Sequence, residues 1–186
     1  MIGVETVAVF YSILALVANA AVVAVVVLVA AGRRERLRDG LGGSVLPAAF
    51  VVATLATLGS LYFSEVAHFE PCRLCWYQRI AMYPLVIILG IAAWRGDARV
   101  RRYVVPLAAI GALIAGYHYA LEWLPWLDSG VCSASTPCTL VWFREFGFVS
   151  LPYLALSAFL FILALVALAP VPASDDREDP LPRRPS

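Results

Sequence analysis

Five long stretches of apolar residues constrain this chain more than any other feature of its sequence. They cover about residues 2–31, 44–66, 76–94, 103–124 and 149–169. Each is close to the roughly 20 residues that an α-helix needs to cross the hydrocarbon core of a bilayer. Because lipid offers no water to satisfy backbone groups, such stretches are expected to be helical. The sequence therefore predicts an all-α integral membrane protein with five transmembrane helices.

The overall composition supports the membrane class and argues against binding of nucleic acid. Hydrophobic residues make up 62% of the chain and charged residues only 15%, whereas soluble domains carry roughly 25% charged residues. All 14 basic residues are arginines, and they form no long patch with interleaved aromatic residues. We therefore expect membrane lipid, and no nucleic acid, among the partners of this protein.

The apolar stretches divide the chain into three predicted regions. Residues 1–43 hold the first stretch and an Arg-rich loop, residues 44–169 hold the other four stretches and all four cysteines, and residues 170–186 form a tail. The first stretch lacks a preceding basic segment and is too long for a signal-peptide core, so we expect it to remain in the protein. Its Asn19 is expected to hydrogen-bond to another helix. The tail contains five prolines among charged residues, which predicts disorder.

The arginines predict how the five helices are oriented in the membrane. Loops 33–38 and 95–102 and the tail together hold eleven of the 14 arginines. Cytoplasmic loops carry the excess of basic residues in membrane proteins. This pattern predicts that the N-terminus and all four cysteines lie outside and that the C-terminus is cytoplasmic.

The first pair of cysteines, Cys72 and Cys75, stands where the third apolar stretch begins. With Arg79 they occupy positions i, i+3 and i+7, which would lie on one face of a helix. A helix N-terminus and a nearby cation both stabilise a thiolate, which favours a redox pair. A structural disulfide at this junction is the alternative, but it would not require a costly arginine inside the membrane. A four-cysteine zinc site is a weaker alternative because the second pair is spaced more widely than usual ligands.

The second pair, Cys132 and Cys138, lies in a short polar loop between the fourth and fifth stretches. Alone, such a pair most often forms a structural disulfide. On the same side of the membrane as another pair, it could instead exchange through a mixed disulfide.

Two polar residues are predicted at a similar depth near the outer surface. His118 lies about four residues before the outer end of the fourth stretch, and Arg79 lies about as far inside the third. Together they would suit a pocket for a polar ring that carries carbonyl groups. A helix–helix hydrogen bond is the alternative for His118. Glu65 is deep enough to be an ionic partner for Arg79.

Several motifs resemble the DsbB/BdbC family of disulfide bond formation proteins. The resemblance covers about residues 44–169 and rests on four segments: Ser64-Glu65, Pro71-Cys72-x-x-Cys75-Trp76-Tyr77-Gln78-Arg79-Ile80, Gly116-Tyr117-His118-Tyr119 and Phe146-Gly147-Phe148-Val149-Ser150-Leu151-Pro152. It implies a four-helix transmembrane bundle in the bacterial cytoplasmic membrane. The helix in residues 1–43 is then an addition to the family core.

The resemblance also implies an activity, a partner and a role for each site residue. The family passes electrons from a soluble, thioredoxin-like thiol oxidase (DsbA/BdbD-like) to a membrane quinone, either menaquinone or ubiquinone. By position, the partner would attack Cys132, and Cys138 would pass electrons to Cys72. Cys75 would face the quinone, with Arg79 stabilising developing negative charge and His118 as a further quinone-site residue. No metal is implied.

Two other functions remain open at this point. A vitamin K epoxide reductase-like quinone reductase shares the helical bundle, but that family places its Cys-x-x-Cys late and its loop pair early, the reverse of the order here. A non-catalytic membrane scaffold with two structural disulfides is the third possibility.

Overall fold

Each of the five apolar stretches forms a helix in the computed structural model, which describes residues 3–128, 130–132 and 136–169. The α-helices are α1 (Val4–Ala30), α2 (Arg34–Leu41), α3 (Val45–Leu61), α4 (Arg73–Arg95), α5 (Arg101–Trp123) and α6 (Leu151–Leu168). All except the short α2 belong to segments long and apolar enough to cross a membrane. The predicted all-α membrane fold, with an extra N-terminal helix, is therefore confirmed. The predicted tail, residues 170–186, lies outside the described residues.

Local sequence explains where the functional helix α4 begins and where its neighbour α3 ends. Cys72 is the N-cap of α4, with an extended backbone (ψ 173°), and its sulfur accepts a hydrogen bond from the backbone N–H of Cys75. Gly96 ends the helix in the left-handed conformation (φ 65°) that glycine adopts without strain. At the end of α3 the chain continues as one π-helical turn, Tyr62–Val66.

Helices α3 to α6 form a four-helix bundle, in which α3 and α5 each pack against α4 and α6. Its core contains fully buried apolar side chains from each helix, including Ala53, Leu85, Val104 and Phe159. The end of the bundle where α3 and α5 finish and α4 and α6 begin carries the cysteines. We call this the cysteine end.

The added helix α1 lies against α6 and is fixed there by a polar side chain. The Asn19 amide donates hydrogen bonds to the Tyr153 hydroxyl (2.8 Å) and the Ser157 hydroxyl (2.9 Å). The prediction of an interhelical hydrogen bond is therefore confirmed. Only Ala8, Ser12 and Ala15 of α1 are buried, as expected for a helix that faces lipid on its other sides.

A glycine on α5 leaves room for a ring of α6, and its replacement is expected to destabilise the fold. A Cβ at Gly111 would overlap the ring of Phe159, which is fully buried on α6. We expect Gly111→Ala to lower the free energy of unfolding by about 1–3 kcal/mol, the usual cost of overpacking. Gly116→Ala is the matched control, because a Cβ there meets nothing within 4 Å. Thermal unfolding in detergent should separate the two variants, and equal melting temperatures would contradict the packing argument.

Candidate redox site

The first cysteine pair is held together by the start of α4. The Cys72 and Cys75 sulfurs lie 3.1 Å apart as free thiols. The backbone N–H of Cys75 donates to the Cys72 sulfur at 3.4 Å. Cys72 is buried, with 5% of its surface exposed, while Cys75 is partly buried. The local fold therefore brings two thiols within reach of one another at the cysteine end.

The second pair forms a disulfide between Cys132 and Cys138 in the segment after α5. Cys138 is almost fully buried (1% exposed) and packs in one apolar cluster with Cys72, Leu74 and Leu121. Cys132 is only partly buried at the edge of that cluster. The two pairs are therefore neighbours, with the more accessible sulfur of the loop pair at Cys132.

His118 of α5 lies beside Cys72, and only 3% of the surface of His118 is exposed. Its Nε2 is 3.6 Å from the Cys72 sulfur, and its Nδ1 is 3.0 Å from the amide nitrogen of Gln78. An amide N–H can only donate, so Nδ1 accepts and a neutral ring carries its proton on Nε2. Gln78 therefore orients His118 so that Nε2–H points to the Cys72 sulfur.

These neighbours change the acidity of Cys72. The hydrogen bond from the Cys75 thiol is the main cause that lowers the pKa of Cys72 below its ordinary value. Burial of Cys72 opposes this shift, and the hydrogen bond from His118 lowers the pKa further. The thiolate of Cys72 is the stabilised form in the reduced pair.

We expect the ionisation of Cys72 to depend on the hydrogen-bond donor at position 75. Cys75→Ser keeps a hydrogen-bond donor at position 75, whereas Cys75→Ala has none. In both variants Cys72 is the single free thiol as long as the Cys132–Cys138 disulfide stays oxidised. Because a donor to the thiolate lowers a thiol pKa, Cys72 should ionise at higher pH in Cys75→Ala than in Cys75→Ser. Thiolate ultraviolet absorbance against pH measures both midpoints. Coincident midpoints would show that the contact between the two sulfurs does not set this pKa.

Arg79 lies one turn further into α4 than Cys75 and is anchored by a single residue of α3. Its Nε donates to the Ser60 hydroxyl and its Nη2 to the Ser60 carbonyl, both at 3.0 Å. The guanidinium also lies 5.2 Å from the ring centre of Trp76. The predicted ionic partner is wrong: Glu65 is exposed and accepts a hydrogen bond from Ser64, and no ion pair joins it to Arg79.

A large cavity of about 270 Å³, mostly apolar, opens beside Cys75 between α1, α3, α4 and α6. Its polar lining residues include Cys75, Gln78, Arg79 and Ser60 near the cysteine end and Tyr83 one turn deeper on α4. The volume is near the lower end of the range for small-molecule sites, roughly 300 Å³. His118 does not line this large cavity. It lines a small cavity with Cys72, Cys75 and loop residues Thr136 and Pro137.

The cysteine end also presents a set of possible metal ligands. Cys72, Cys75 and His118 offer three ligand atoms within 4.8 Å of one another, a nitrogen and sulfur set that zinc accepts. The four-thiolate site considered as an alternative does not form, because Cys132 and Cys138 are joined in a disulfide.

Sequence reasoning missed two of the residues that organise the site. Gln78 belongs to the motif around Cys75, but nothing in the sequence pairs it with His118. Ser60 lies in an apolar stretch without any motif, and only the packing of α3 on α4 brings it to Arg79. A small polar residue inside a predicted membrane span was the available signal.

Comparison with known proteins identifies the family to which this chain belongs. Residues 43–169 match the family model described as disulfide bond formation protein DsbB. The disulfide bond formation protein C of Bacillus subtilis is 52% identical over 125 residues, which are 66% of this chain and 90% of that protein. The probable disulfide formation protein C 1 of Bacillus cereus is 51% identical over 109 residues, covering 58% of this chain and 78% of the relative.

A more distant relative is the probable disulfide formation protein of Oceanobacillus iheyensis, 44% identical over 118 residues, which are 62% of this chain and 81% of that protein. No solved structure matches the chain significantly.

Proposed function

The chain belongs to the DsbB family of disulfide bond formation proteins of bacterial membranes, and from this premise we propose that it is a quinone-linked thiol oxidase. It reoxidises a soluble, thioredoxin-like thiol oxidase outside the cell membrane and passes the electrons through its two cysteine pairs to membrane quinone. The observation that carries the proposal is the position of the Cys72–Cys75 pair. On one side it packs against Cys138, and on the other it opens onto an apolar cavity with Arg79 at its polar end.

The first step exchanges a disulfide between the loop pair and the reduced partner. A partner thiolate attacks the Cys132 sulfur, which forms a mixed disulfide and releases Cys138 as a thiolate. The second partner thiol, once deprotonated, attacks the partner's own sulfur in that bond and releases the Cys132 thiolate. The partner leaves oxidised, and the loop pair has gained two electrons. Greater exposure of Cys132 than of Cys138 supports this order of attack.

The second step moves the two electrons to the pair on α4, which must then be oxidised. The Cys138 thiolate attacks the Cys72 sulfur of a Cys72–Cys75 disulfide and releases Cys75 as a thiolate. Cys132 then attacks Cys138, which restores the loop disulfide and releases Cys72 as a thiolate. The Nε2–H of His118 stabilises that leaving group. Burial of Cys72 and Cys138 in one cluster supports this direct exchange.

The residues of the large cavity fit a quinone. A quinone head group is a flat ring with two carbonyl oxygens, and the cavity offers it apolar walls with a guanidinium at one end. Cys75 and Arg79 would hold the ring end, and the apolar walls would hold the rest of the molecule. Bound quinone would accept two electrons and two protons from the reduced Cys72–Cys75 pair. Both menaquinone and ubiquinone are compatible with these walls.

Arg79 would supply the electrostatic part of this chemistry. Its Nε–H and one Nη2–H are used by Ser60, which fixes the guanidinium plane and leaves its other N–H groups for a ligand. No carboxylate forms an ion pair with Arg79 among the described residues. Its positive charge is therefore available to stabilise negative charge on a thiolate or a ligand oxygen.

The proposal includes the orientation in the membrane. Helix α2 and the loop between α4 and α5 carry the arginine clusters, and both lie away from the cysteine end. With these clusters in the cytoplasm, the N-terminus and both cysteine pairs face outside, where the partner is. Residues 1–43, 44–169 and 170–186 would then be an added membrane helix with its cytoplasmic loop, the catalytic bundle, and a cytoplasmic tail.

The test is reconstitution of the full-length protein in lipid nanodiscs with quinone and a reduced thioredoxin-like oxidase. Quinone absorbance should fall continuously while reduced partner remains. Without quinone, oxidation of the partner should stop once the protein's own disulfides are consumed. A scaffold with structural disulfides predicts no quinone reduction at all, and that result would overturn the proposal.

A further inference from the structure

Helix α1 supplies a wall of the large cavity, although it lies outside the family match. Tyr11, Leu14, Ala15 and Ala18 of α1 line the cavity, whereas the match to the DsbB family begins at residue 43. These residues recur at helical spacing on one face. We propose that α1 is part of the quinone site and binds the isoprenoid chain of the quinone. This inference rests on the proposed function and names the part of the site that the added helix forms.

The contacts of α1 hold this face towards the cavity. Asn19 fixes α1 to α6 through two hydrogen bonds. Nearer the cysteine end, the Tyr11 hydroxyl donates to the carbonyl of Leu55 on α3 at 3.2 Å. The Tyr11 ring lies in a notch at Gly59, where a Cβ would come within 2.6 Å of it. Contacts at two positions of α1, Tyr11 and Asn19, therefore determine how the helix is rotated.

The face of α1 that lines the cavity runs from the level of Ser60 and Arg79 deeper into the bundle. Tyr11 lies against Gly59, and the next residue of α3 is Ser60, which holds Arg79. From Tyr11 to Ala18 the lining face of α1 extends about 10 Å at 1.5 Å per residue. Along this distance α3 and α6 contribute small apolar residues, including Ala56, Ala155 and Ala158. A ring at Arg79 would leave this apolar channel for a flexible hydrocarbon chain.

This placement predicts that α1 affects binding of the isoprenoid chain more than binding of the quinone ring. Ala18 lies at the far end of the channel from Arg79 and is partly buried. A phenylalanine there would occupy space that an isoprenoid chain needs. Ala20, two residues later, is exposed and does not line the cavity. The same substitution at Ala20 therefore changes α1 equally without entering the channel.

The experiment compares Ala18→Phe and Ala20→Phe in the full-length protein in nanodiscs. Equilibrium binding is measured for a quinone with an isoprenoid chain and for the same ring without it. We expect Ala18→Phe to weaken binding of the long quinone by roughly tenfold, as steric conflict in a filled apolar site does. Binding of the short quinone should change much less, and Ala20→Phe should match the wild type.

Two further measurements keep the outcomes distinct. Single-turnover exchange with the reduced partner should be equal in both variants, which reports a folded cysteine end. A photoreactive group on the isoprenoid chain should label α1 in the wild type, and excess unlabelled quinone should suppress that labelling. Equal binding of long quinone by both variants, or competed labelling confined to α3, α4 and α6, would overturn the role of α1. Failure of the wild type to bind or reduce any quinone would instead overturn the proposed function itself.

Discussion

Replacement of Cys75 by alanine is expected to abolish quinone reduction while leaving the first thiol exchange intact. Cys75 is the cysteine that lines the large cavity, and without it Cys72 has no partner 3.1 Å away with which to close a disulfide. Loss of a residue that forms a covalent intermediate typically removes nearly all of the chemistry. We expect turnover to fall by roughly 1000-fold or more.

Two measurements on the same preparation separate this result from misfolding. Steady-state loss of quinone absorbance should fall to background in Cys75→Ala and equally in Cys72→Ala. Both variants keep the Cys132–Cys138 disulfide, so each should still oxidise one equivalent of reduced partner in a single turnover. Quinone reduction by Cys75→Ala near the wild-type rate would refute the proposed electron path.

The sequence predicted the membrane fold well because the bilayer permits few alternatives. A stretch such as residues 149–169 must form a helix in lipid, and α6 spans Leu151–Leu168. The predicted helix ends were also close to the observed ones. Helix α4 begins earlier than predicted, at Arg73, because Cys72 caps it before the apolar residues of its stretch. The short helix α2 was missed. Its only apolar side is formed by Leu37 and Leu41, one turn apart, and two positions are too short a pattern to predict a helix.

The fold places the predicted site residues around two cavities near the cysteine end. Which side chains contact one another there could not be predicted. Cys75 and Arg79 share the large cavity, as their spacing on one helix indicates. His118, expected to share a pocket with Arg79, lies instead beside Cys72 and lines the small cavity. Depth in the membrane follows from counting residues along a helix, whereas the rotation of α5 about its axis depends on packing. The contact between His118 and Gln78 could therefore not be predicted from the residue pattern.

For α1, the sequence does not indicate which face packs against the bundle, and only the structure shows it. Its sequence is apolar on every side, so no periodic pattern marks the face that meets the bundle. Asn19 indicated a contact with another helix but not which helix. The notch at Gly59 and the acceptor at Leu55 become recognisable only once Tyr11 is seen to lie against them.

Replacement of Arg79 by methionine is expected to have the second-largest effect, and it should act on quinone and not on thiol exchange. Methionine keeps much of the length of the side chain but removes the charge and every donor. Loss of one preorganised donor to developing negative charge costs roughly 100-fold or more in rate. We therefore expect about a 100-fold fall in quinone reduction, with single-turnover oxidation of the partner by the loop pair unchanged.

Graded variants distinguish the charge of Arg79 from its orientation. Arg79→Lys keeps the charge but loses the planar group that bonds Ser60 through two nitrogens, so it should recover only part of the activity. Ser60→Ala keeps the guanidinium and its bond to the Ser60 carbonyl, and it should cost less than either change at Arg79. Activities ordered wild type, Ser60→Ala, Arg79→Lys and Arg79→Met would support an electrostatic role for an oriented guanidinium. Equal rates in all four proteins would leave Arg79 as a residue that merely joins α4 to α3, and would remove the electrostatic part of the proposed mechanism.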